Sequence, residues 1–122
     1  MTDATDGSEP RAVRHLPRHE LLAGGIDLQG DEGVFARTAY PGLVAGTFRS
    51  NLVVMPAGHQ SPPRTSDIEH VIVVLEGAFV FTIDGIDYRI EALDQLFVPV
   101  GVVWEYVNAA PRESSYLAIV GP

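Results

Sequence analysis

The chain has 122 residues, room for a single domain with a hydrophobic core, and its 46% apolar and 20% charged residues describe a globular protein. A formal net charge of −8 disfavours nucleic acid and anionic membranes as partners, because both demand a basic surface. The absence of cysteine excludes disulfides, thiolate nucleophiles and Cys-based zinc sites.

Residues 1–14, with Asp3, Asp6, Gly7, Ser8, Glu9 and Pro10, read as a flexible tail, leaving 15–122 as one folded domain. Met1 to Pro10 lacks the apolar core of a signal peptide, and the longest apolar runs are strand-length. The expectation is therefore a soluble cytoplasmic protein without a membrane span. Arg18 to Ala23 has room for one helical turn. Short runs rich in β-formers follow at 34–40, closed by Pro41-Gly42, and at 47–55, closed by Pro56-Ala57-Gly58. The run 70–75 ends at Glu76-Gly77. Phe79 to Ile83, Asp84-Gly85 and Tyr88 to Ile90 read as a hairpin, Asp-Gly supplying the positive φ of a tight turn. Three more runs stand at 95–98, 102–107 and 116–120. No segment keeps a 3.6-residue apolar period, so the fold class is all-β, a sandwich or barrel.

Two spaced motifs overlie these strands. The first is Gly58, five residues, Arg64, one residue, Ser66, three residues, His70, six residues, Gly77. The second is Pro99-Val100-Gly101, two residues, Trp104, three residues, Asn108. Asp94 precedes the second motif, with Leu93 where a glycine is usual. Between Met55 and Asn108 this spacing resembles the two motifs of the cupin superfamily. The resemblance implies a double-stranded β-helix, or jelly-roll, barrel with both motifs on neighbouring strands.

In metal-binding cupins the four inward positions supply three imidazoles and a carboxylate; here they are Arg64, Ser66, His70 and Trp104. Arginine repels a cation, tryptophan offers no lone pair and serine is a poor ligand, so no tight metal site and no cofactor is expected. Pro62 to Gly77 also resembles the N-terminal cupin of (S)-ureidoglycine aminohydrolases. That likeness implies, as one alternative, a hydrolase with a divalent metal weakly held at His70.

Strand alternation places His70, Ile72 and Val74 on one face, and Trp104, Tyr106 and Asn108 on one face of a later strand. The pocket is then Arg64, Ser66, His70, Trp104 and Tyr106 over an apolar floor, the composition of a small-molecule site. His70 reads either as a core histidine or as an acid/base titrating near neutrality. Arg64 reads either as a carboxylate clamp or as a solvated charge in the loop after Pro62-Pro63. Trp104 and Tyr106 read either as barrel filling or as substrate-binding walls. His59 reads as a surface residue, and His15 and His19 as bystanders near the tail.

Three functions follow. One is a metal-independent isomerase, cyclase or lyase with His70 as catalytic acid/base and Arg64, Ser66, Trp104 and Tyr106 binding a small organic molecule, for instance a carboxylate. Another is a non-catalytic ligand-binding or accessory cupin, and the third is the aminohydrolase-like enzyme. The resemblance further implies a homodimer paired through sheet edges.

Overall fold

The computed structural model describes residues 15–28, 31–39 and 48–121. The expected tail at 1–14 and the Pro41-Gly42 turn lie outside the described residues. A six-residue helix, α1 (Arg18–Ala23), precedes the strands β1 (Ile26–Leu28), β2 (Asp31–Ala39), β3 (Arg49–Met55), β4 (Arg64–Thr65) and β5 (His70–Glu76). They continue as β6 (Ala78–Ile83), β7 (Ile86–Glu91), β8 (Gln95–Val98), β9 (Val103–Asn108) and β10 (Ser114–Val120). A six-stranded sheet has the order β1-β2-β3-β10-β5-β8, a four-stranded sheet the order β4-β9-β6-β7, and the strand pairings within both are antiparallel. This two-sheet, jelly-roll arrangement is the all-β architecture expected from the strand pattern.

Turn chemistry sets the register. Asp84 (φ 48°) and Gly85 (φ 83°) both take positive φ and close the β6–β7 hairpin with Ile83 opposite Ile86. Gly77 turns β5 into β6 at φ 80°, and a Cβ there would collide with Ser114 Oγ. Leu93, standing where a glycine is usual, also has positive φ (73°), an uncommon conformation for a side chain branched at Cγ.

The core forms where the inward faces of both sheets meet. Ile72, Val74, Phe79, Phe81, Val98, Tyr106 and Tyr116 are buried in one cluster, and burying each large apolar side chain contributes about 1.5–3 kcal/mol. The period-2 pattern is plainest in β10, whose buried residues alternate from Ser114 to Val120. Asn108, also buried, does more than bond locally near its strand end. Its Nδ2 donates to the carbonyls of Met55, Pro56 and Arg112, tying β9 to the ends of β3 and of the β9–β10 connection.

Two expectations require correction. The motif strands are neighbours only in part: β4, carrying Arg64, pairs with β9, carrying Trp104, whereas His70 on β5 belongs to the six-stranded sheet. His70 and Trp104 meet across the core, with ring centroids 5.5 Å apart. Arg64 is not in a loop. It lies in β4, opposite Trp104, and is half-buried. The short strands β1 and β4 were absent from the sequence reading. Among the described residues no helix is long and apolar enough to cross a membrane.

Candidate functional site

A cavity of about 570 Å³ opens between the sheets, within the range of small-molecule sites. His70 from β5, Arg64 from β4, Trp104 and Tyr106 from β9, and Tyr116 from β10 line its interior. Its mouth is formed by β1 and β2, including Ile26, Arg37 and Thr38. At Gly24 the Arg37 guanidinium lies against the backbone, in the space a Cβ would occupy.

Aromatic rings give the cavity a flat wall. Trp104 and Tyr106 stack at 5.6 Å with their planes 28° apart, and Phe81 stacks behind Tyr106 at 5.0 Å. Trp104 Nε1 is buried and, among the described residues, has no hydrogen-bond partner. An unmet donor of this kind favours any occupant that brings an acceptor.

His70 faces this wall. Burial lowers its pKa from 6.5, and the nearby Ile68 carbonyl pulls weakly the other way. His70 Nδ1 is buried and has no hydrogen-bond partner among the described residues, and the Ile68 carbonyl accepts a hydrogen bond from Ser66 Oγ at 2.9 Å. Ser66 was expected to contact substrate. Instead it is buried and absent from the cavity wall, and it braces the turn that carries His70.

A polar cluster stands opposite. Tyr116 and Tyr106 share a hydrogen bond between hydroxyls at 2.8 Å, and the Arg64 charge beside Tyr106 favours its ionised form. Asp31 Oδ2 lies 4.0 Å from Arg64 Nη2, and Asp31 Oδ1 lies 2.6 Å from His59 Nε2. His59 is thus not the expected surface residue: its side chain is 29% exposed and engaged with a buried carboxylate. The Gly58–Ser61 loop delivers it by running beside β9, through Asn108 N to His59 O and Ser61 N to Tyr106 O. Burial pushes the Tyr106 hydroxyl up, with the bond from Tyr116 opposing. It pushes Tyr116 well above its usual range, so both stay protonated at neutral pH.

Asp31, Arg37 and Tyr116 were not foreseen. Tyr116 was within reach, since it alternates with Ala118 on the inward face of a recognised strand. Asp31 carries no local signal, because its burial depends on partners 28 and 33 positions away.

The four positions that would hold a metal do not suit one. Arg64 is cationic, Ser66 is turned to a carbonyl, Trp104 has no lone pair, and His70 alone can coordinate. Among the described residues no group of three or more His, Asp or Glu side chains is placed to hold a metal ion. The donors that an aminohydrolase-like centre needs at Arg64 and Ser66 are likewise absent.

Comparison with known proteins places this geometry. A family model described as "Cupin domain" matches residues 51–120. No curated protein sequence matches the chain. Among solved structures, KdgF from Halomonas sp. is similar at TM-score 0.75 and 17% identity, over 90% of this chain and 94% of that one. The polyketide cyclase RemF from Streptomyces resistomycificus is similar at TM-score 0.75 and 18% identity, over 89% and 79%. An RmlC-like cupin from Shewanella frigidimarina matches at TM-score 0.69 and 21% identity, over 90% and 92%. Likeness at these identities concerns the fold.

Proposed function

The chain belongs to the cupin family, and on that premise we propose that it binds a small organic molecule and moves a proton on it without a metal, as an isomerase, cyclase or lyase. One observation carries this reading: a titratable side chain, His70, and a cation, Arg64, line the same aromatic-walled cavity. With its pKa lowered by burial, His70 is a neutral imidazole at neutral pH and so a base. Arg64 holds the anionic end of the substrate and Trp104 and Tyr106 its flat body. The polyketide cyclase among the structures of similar fold is compatible with such chemistry. A homodimer belongs to the same proposal through family membership alone, and sedimentation velocity tests it.

The catalytic test is isotope exchange. Phenylpyruvate in D2O is expected to lose its C3 proton signal faster with the protein than in buffer. His70→Gln removes the acceleration while binding persists, read from the fluorescence of Trp104, the only tryptophan. Equal exchange by both proteins sinks the acid/base role. Binding without exchange in either leaves the second reading, a non-catalytic ligand-binding cupin.

A further inference from the structure

Resting on that reading, we propose that Tyr106 and Arg64 form an oxyanion site, taking the single oxygen of an enolate or phenolate on a flat conjugated ligand.

The geometry begins with Tyr116, a buried residue whose hydroxyl donates to the Tyr106 oxygen 2.8 Å away. Arg64, which can only donate, lines the same cavity with its charge beside Tyr106. With the Tyr106 oxygen accepting from Tyr116, its own proton leaves toward the cavity that Tyr106 lines. Accepting hydrogen bonds polarises the Tyr106 O–H and strengthens it as a donor. Asp31, itself buried, holds the guanidinium from behind at 4.0 Å.

Tyr106 is thus more than a wall. It and Arg64 offer adjacent donors to one point, the arrangement that stabilises negative charge on a single oxygen in a site shielded from water. The stacked Trp104 and Tyr106 rings admit a planar body beside it. The chemistry closes with His70. When the imidazole takes a proton from a carbon next to a carbonyl, the C–H electron pair forms a carbon–carbon double bond and the carbonyl π pair moves onto oxygen. Tyr106 and Arg64 hydrogen-bond to that oxygen. Return of the proton from His70 to a carbon of the enolate moves the pair back and restores the carbonyl.

Three probes of one shape test the site by calorimetry: para-nitrophenol, para-nitrobenzoate and the neutral ether para-nitroanisole. The bound phenol is expected to show the absorption of its phenolate and to bind at least about tenfold more tightly than the ether, as two charge-assisted hydrogen bonds allow. Tyr106→Phe is expected to erase that preference and Tyr116→Phe to reduce it about threefold. Equal phenolate and ether affinities, or a preference that survives Tyr106→Phe, overturn the oxyanion site while leaving a small-molecule cavity. Tighter binding of the benzoate than of the phenolate overturns the single-oxygen assignment. If none of the three binds, the small-molecule reading itself fails and takes the inference with it. The wild-type series decides the matter even if a variant does not fold.

Discussion

Asn108→Asp removes hydrogen-bond donors at a single buried point without changing its shape. The two N–H groups of the Asn108 amide are shared among the carbonyls of Met55, Pro56 and Arg112 at 3.1, 3.0 and 2.8 Å. Its oxygen accepts from Ala110 N at 2.9 Å and from Ser114 Oγ at 2.7 Å. The substitution keeps the accepting oxygen and points a carboxylate at three carbonyls. An unsatisfied buried group costs about 1–3 kcal/mol. The Met55 bond is fully buried and the other two are partly so, so water relieves part of the loss there. With two N–H donors lost and water relieving part of the loss, the expected cost is about 2–4 kcal/mol.

Urea unfolding followed by the fluorescence of Trp104 measures this loss. The midpoint is expected to fall with the slope unchanged, and the melting temperature to drop by about 4 °C per kcal/mol for a domain of this size. Acidification is expected to shrink the deficit, since protonating the introduced acid restores one donor. A loss under about 1 kcal/mol at neutral pH, or a deficit that widens on acidification, refutes the view of Asn108 as the tie between β3, β9 and the β9–β10 connection.

Other outcomes follow from the same structure. Leu93→Gly relieves a positive φ at a side chain 81% exposed. The relief of about 1–2 kcal/mol outweighs the roughly 0.5–1 kcal/mol of added chain entropy when unfolded, so thermal unfolding should show a modest gain in stability. Gly77→Ala meets both a φ of 80° and Ser114 Oγ, whose bonds to Ala78 N and Asn108 Oδ1 it would disturb. A loss of more than about 2 kcal/mol is expected by denaturant titration. For His70, the folded pKa lies below the unfolded 6.5, so the unfolded chain binds the proton more readily. Stability is then undiminished above that value and declines as pH falls below it, until the folded form also protonates. His70→Gln should flatten the decline between about pH 7 and 5, read from melting temperatures across that range.

Much of the fold was legible because its signals are local. Alternation in β5, β9 and β10 identified the inward faces, and Asp84-Gly85 identified the hairpin because both residues accept the positive φ of a tight two-residue turn. Spacing alone selected His70, Arg64 and Trp104, which the structure brings to one cavity. Ser66 shares that spacing but spends its hydroxyl on the Ile68 carbonyl, since a position in a motif does not specify where a side chain finds its partner. The strands β1 and β4 are too short to show a period; they exist because β2 and β9 offer them an edge. Asp31 becomes a functional candidate only after distant strands converge. The sequence by itself therefore determined a cupin framework whose metal positions had been refilled. Only the tertiary structure decided that the refilled cavity faces His70 across from Arg64, Tyr106 and Tyr116, because each of those contacts joins residues that no local pattern links.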